Sequence, residues 1–95
     1  MIYISHEFGN DPKNIIEIEA IIRRLVKADP ERTYISPVHA YGFLYADVPY
    51  DTGMKYCTDL LAKCNVMWVF GRHSTGVMAE IKFCEEHDIP WSQIV

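Results

Sequence analysis

No apolar run in these 95 residues approaches the ~20 that a membrane-spanning helix needs. Nor does a charged-then-apolar stretch of the secretory type open the chain. Positive charge is scarce: 9 Lys plus Arg stand against 13 Asp plus Glu, a formal charge of −4. Nucleic-acid-binding domains normally carry a basic face, so neither nucleic acid nor a membrane is an expected partner. The 3 cysteines are an odd number without a paired framework, which fits a reducing, cytoplasmic setting. No Cys or His pair has compact ligand spacing, and neither a metal nor a cofactor is expected. The dinucleotide fingerprint G-x-G-x-x-G is missing as well. Without repeats, low-complexity stretches or linkers, residues 1–95 read as a single domain.

What is present is ordinary globular material, 49% hydrophobic and 23% charged. Met1 to Ser5 is a short apolar run suited to a strand buried on both faces. Asp11-Pro12 is a helix start, and Ile15, Ile18, Ile22 and Leu25 follow at helical spacing until Ala28-Asp29-Pro30. Thr33 to Ser36 predicts a second strand ended by Pro37, followed by a long aromatic loop, Val38 to Tyr45. A helix from Tyr50-Asp51 places Met54, Cys57, Leu61 and Cys64 on one stripe, where the cysteines read as small core hydrophobes. Val66 to Phe70 is the clearest strand; Gly71 to Gly76 turns into a helix over Val77 to His87, and Ile89 to Val95 returns as a last strand. The alternation predicts an α/β fold: a small Rossmann-like or flavodoxin-like three-layer sandwich, with about four parallel strands and helices on both faces.

Ligands of such sheets bind beyond the carboxyl ends of the strands. That rule gathers the loops Ser5 to Gly9, Ser36 to Tyr45 and Gly71 to Gly76, and with them Ser5, His6, His39 and His73. Ser74, Thr75 and Gly76 open a helix, where free backbone N–H groups favour a phosphate or carboxylate. A plain helix cap explains the same residues. Glu80 stands three residues after Val77 and four before Cys84, on the apolar face of its helix. An inward carboxylate must be paired, hydrogen-bonded or functional. A tyrosine hydroxyl such as that of Tyr3 could satisfy it structurally. The aromatic segment Tyr41 to Tyr45 suits either a lid stacking on a base or packing against a subunit.

Ser74-Thr75-Gly76-Val77-Met78-Ala79-Glu80-Ile81 resembles the Ser-x-Gly-Val-x-x-Glu-Leu signature of the nucleoside 2-deoxyribosyltransferase superfamily. The resemblance is nearest to the branch that hydrolyses deoxynucleoside monophosphates and to short phage and bacterial relatives. Ile2 to Ser5 is similar to the first strand of that family, and Cys64 to Phe70 to its third. The resemblance implies cleavage or transfer at the N-glycosidic bond of a 2-deoxynucleoside or its 5′-monophosphate. Glu80 is then the nucleophile, Tyr3 its catalytic partner, and Ser74 with the helix amides the holder of the 5′-phosphate. Cys57 and Asn65 stand where members usually carry acidic residues, with Asp51 or His39 as conceivable replacements. The sequence closes at the last strand, where many members continue into an extension that completes a neighbour's site. The alternative is a catalytically impaired module that binds a nucleotide in the same pocket. A third reading relates the chain to small domains that cleave nicotinamide dinucleotides through a glutamate. Trp68, Trp91 and the aromatic segment also predict a homodimer or higher oligomer.

Overall fold

A computed structural model describes residues 1–95. Four parallel strands form one sheet: β1 (Ile2–Ser5), β2 (Tyr34–Ile35), β3 (Val66–Val69) and β4 (Trp91–Gln93), in the spatial order β2-β1-β3-β4. Helix α1 (Pro12–Ala28) links β1 to β2, α3 (Tyr50–Leu61) precedes β3, and α4 (Thr75–Glu86) links β3 to β4. Between β2 and α3 lie a short helix α2 (Pro37–Tyr41) and a 3₁₀ turn (Gly42–Leu44).

The strand parity of β1 divides the core in two. Ile2 and Ile4 join Ile21 of α1 and Phe70 on one face. Tyr3 joins Met67, Val69, Leu61, Val77 and Cys84 on the other, with α3 and α4. The connection running one way from β1 therefore packs on one face, and those running the other way pack on the opposite face. Crossovers of a single hand require that arrangement. The expected three-layer α/β sandwich is the observed fold.

Several boundaries shift for local reasons. The segment expected as an aromatic loop is largely helical, because Ser36-Pro37 starts a helix as well as ending a strand. The Ser36 hydroxyl accepts from the His39 N–H at 3.3 Å, and Pro37 occupies the first turn. Helix α4 begins at Thr75 instead of Val77, with Ser74 as its cap. Cys64 lies beyond the end of α3, buried in the turn before β3 with its thiol donating to the Leu60 carbonyl. Both outer strands are shorter than their apolar runs, since each pairs along one edge only. Asp11 caps α1 as expected, accepting from Lys13 N–H at 2.9 Å. No helix is long and apolar enough to cross a membrane.

Candidate active site

The chain leaves β1 toward one side of the sheet and β3 toward the other, which opens a crevice beyond the carboxyl ends of these two strands. A cavity of about 580 Å³ occupies that end of the molecule. Its walls come from the loop after β1, from α2 and the turn behind it, from α3, and from the start of α4. The volume lies within the range of small-molecule sites.

Glu80 is at the inner wall, on the second turn of α4 and 5% exposed. Val77 and Cys84, spaced on the same helix face, pull it against the sheet. Tyr3 and Ser5, two residues apart on β1, project from the same sheet face and meet it there. The Tyr3 hydroxyl donates to Glu80 Oε2, and the Ser5 hydroxyl donates to Oε1 at 2.8 Å. Both carboxylate oxygens are thus held by neutral donors. Burial pushes the Glu80 carboxyl up to about 7, although the two hydrogen bonds oppose the rise. Burial, reinforced by the nearby Glu80 charge, holds the Tyr3 phenol well above its ordinary range. The same two causes push the Cys57 thiol up to about 11.

The sequence-predicted residues separate into three groups. Glu80, Ser74, Thr75, Gly76, His6 and His73 line the cavity. Tyr3 and Ser5 are completely buried behind Glu80 and orient it from the sheet. Expected for substrate, Ser5 instead spends its hydroxyl on the carboxylate. His39 is not brought to the cavity. One residue past Val38, it turns about 100° around α2, and its ring nitrogens meet Ser36 Oγ and Glu19 Oε2, each at 2.9 Å.

The cavity histidines are also engaged. His6 Nδ1 lies 2.7 Å from the Glu7 carbonyl, and Nε2 lies 2.8 Å from the Glu17 carboxylate. His73 Nε2 is 2.5 Å from Gln93 Oε1, and its ring stands edge-on to Trp91. Ser74 Oγ accepts from Val77 N–H at 3.3 Å and its carbonyl from Met78 N–H, while Thr75 and Gly76, whose amides precede the first intrahelical bond, line the cavity. Gly71, at φ 80°, provides the left-handed turn that leads from β3 into this loop.

Besides Gly53, three lining residues of α3 were not assigned to the site from sequence: Tyr50, Met54 and Cys57. Their i, i+4, i+7 spacing was the available signal, since the stripe that packs Leu61 into the core also continues upward to the cavity. Phe8 and Val38 line it as well. No three His, Cys, Asp or Glu side chains converge in a metal-holding group.

In comparisons with known proteins, residues 1–94 match the model of a family described as Domain of unknown function (DUF7768). The chain belongs to that family. Neither a curated protein nor a solved structure matches it significantly.

Proposed function

We propose that this member of the DUF7768 family cleaves or transfers at the N-glycosidic bond of a 2-deoxynucleoside or its 5′-monophosphate. The observation that carries this reading is Glu80: a buried carboxylate, clamped by Tyr3 and Ser5, with one side open to a cavity of nucleotide-accommodating size. The carboxylate attacks C1′ as the bond to the base breaks through an oxocarbenium-like state, and water or a second base then resolves the glycosyl-enzyme. The N-terminus of α4, capped at Ser74, lies about 9 Å along the helix from Glu80, six residues at ~1.5 Å each. Its amides and Ser74 suit the 5′-phosphate at that distance. The resemblance of Ser74 to Ile81 to the nucleoside 2-deoxyribosyltransferase signature supports the same assignment. Chromatography of deoxynucleosides and their monophosphates after incubation tests it. Wild type is expected to release free base and Glu80→Ala none; no release from any of them would reject the proposal.

A second reading rests on Cys57. This α3 residue lines the cavity beside Tyr3 and Glu80, at a position where members of the nucleoside 2-deoxyribosyltransferase superfamily that the chain resembles usually carry an acid. A pocket lacking that acid suits a module that holds a nucleotide without cleaving it. Ligand-dependent thermal stabilisation without any turnover is the expected signature.

Either reading accommodates a homodimer that shares pocket walls. Tyr45, Tyr50 and Met78 line the cavity and are each at least half exposed, and neighbouring Phe43 is 76% exposed. Sedimentation equilibrium is expected to give twice the 11.0 kDa chain mass; a monomer rejects the dimer.

A further inference from the structure

Cleaving an ordinary nucleoside demands two things of a protein: a nucleophile at C1′ and an acid that protonates the departing ring. Only the first is present in this cavity. Of the 23 lining residues, Glu80 is the single carboxylic acid. Asp51, in the first turn of α3, is exposed and outside the lining. Glu7 pairs with Arg72 at 2.7 Å and Glu17 with His6 at 2.8 Å, and neither carboxylate is among the lining residues.

The remaining proton donors serve poorly. Both ring nitrogens of His6 are already engaged, one with the Glu7 carbonyl and the other with the Glu17 carboxylate. His73, though it lines the cavity, has its Nε2 engaged by Gln93 Oε1 and its ring edge-on to Trp91. What surrounds Glu80 is the Tyr3 phenol, the Tyr50 phenol and the Cys57 thiol, each pushed further from a neutral-pH acid by burial first and by the Glu80 charge second. An efficient general acid titrates near the working pH.

We infer that the cavity acts on N-glycosides whose departing ring already carries a formal positive charge, as in N-alkylated purine or pyridinium nucleotides. This rests on the N-glycosidase reading above and narrows its substrate class. A charged ring leaves without help: the C1′–N bonding pair returns to the ring nitrogen and neutralises it. A Glu80 oxygen forms the new bond to C1′, and water then displaces the carboxylate and yields the free sugar and one proton. The walls fit such a cation. Phe8, Tyr41, Tyr45 and Tyr50 line the cavity, and aromatic rings attract positive charge.

The test compares 7-methyl-2′-deoxyguanosine 5′-monophosphate with its unmethylated parent at pH 7, about where the Glu80 carboxyl titrates, subtracting the background measured with Glu80→Gln. The expected kcat/KM ratio is about 10²-fold or more in favour of the methylated nucleotide, the scale of a missing general acid. Cys57→Asp, restoring an acid at the cavity wall, is expected to raise turnover of the parent at least ~10-fold and to narrow that ratio. Comparable rates on both substrates with wild type would overturn the inference and leave the N-glycosidase intact. A folded Cys57→Asp protein with an unchanged ratio overturns it too. If that variant fails to fold, the wild-type ratio decides alone. Release from neither substrate above background rejects both the inference and the reading beneath it.

Discussion

The two faces of β1 carry opposite kinds of chemistry on alternate residues of a single four-residue strand. Ile2 and Ile4 face α1 and meet Ile21 and Phe70 in a wholly apolar cluster. Tyr3 and Ser5 face α3 and α4 and spend their hydroxyls on Glu80. Both faces are equally inaccessible to water, with all four residues at 4% exposure or less. Burial alone therefore does not mark the site. The difference is that one face is closed by apolar packing, whereas the other closes around a carboxylate that is itself the wall of a cavity.

Four substitutions sharpen that contrast, beginning with the greatest effect. Ile4→Ala removes buried methyl groups from the apolar face and is expected to cost about 2–5 kcal/mol in denaturant unfolding. Its stability should retain the wild-type pH dependence, since Glu80 is untouched. An altered dependence would mean that the faces are coupled through the strand.

Glu80→Gln acts through pH. The folded carboxyl titrates at about 7 against an ordinary 4.5, so between these values the folded state holds a proton that the unfolded state has lost. Stability from this group is fully present below pH 4.5 and is lost as pH rises through about 7, amounting to about 3 kcal/mol. Facing it, Tyr3, Tyr50, Cys57 and Cys84 all have their titrations pushed upward, so none of them ionises in this window. Unfolding free energies at pH 4 and pH 8 are expected to diverge in wild type by this amount relative to Glu80→Gln. Parallel pH profiles would contradict the burial argument.

Tyr3→Phe removes one of the two donors to the carboxylate. A loss of about 1–3 kcal/mol is expected at pH 8, where Glu80 is charged, together with a further upward move of its titration, read by carboxyl NMR. A downward move would contradict the assigned hydrogen bond. The smallest effect belongs to Glu17→Gln. The Glu17 side chain is 61% exposed, and its contact with His6 is expected to contribute no more than about 1 kcal/mol. A larger loss in thermal unfolding would place that pair among the groups that hold the cavity together.

Much of this contrast was legible in the sequence, for reasons of periodicity. The alternation in Ile2-Tyr3-Ile4-Ser5 and the position of Glu80 between Val77 and Cys84 both place polar groups on an inward face. Parity then brings them together once α4 packs on the sheet. The βα alternation likewise gave the parallel sheet, because each connection had length for a crossover. Less legible were features that depend on which side of a short element a residue falls. His39 shares a predicted strand-end loop with cavity residues, but the helix begun by Ser36-Pro37 turns it toward Glu19. Cys57 was read by residue type as core, whereas its place on α3 sets it against the cavity. Ser5 followed the strand-end rule in position, yet its hydroxyl points inward to Glu80.

The central claim is that Glu80 bonds to the sugar. The most direct measurement is the anomeric configuration of the first product formed from a β-deoxynucleotide in methanol-containing buffer, followed by proton NMR. Two displacements at C1′, with Glu80 as the intermediate nucleophile, predict the β-methyl glycoside by net retention, and its loss in Glu80→Gln. An α-methyl glycoside, formed by one direct displacement, would contradict the account.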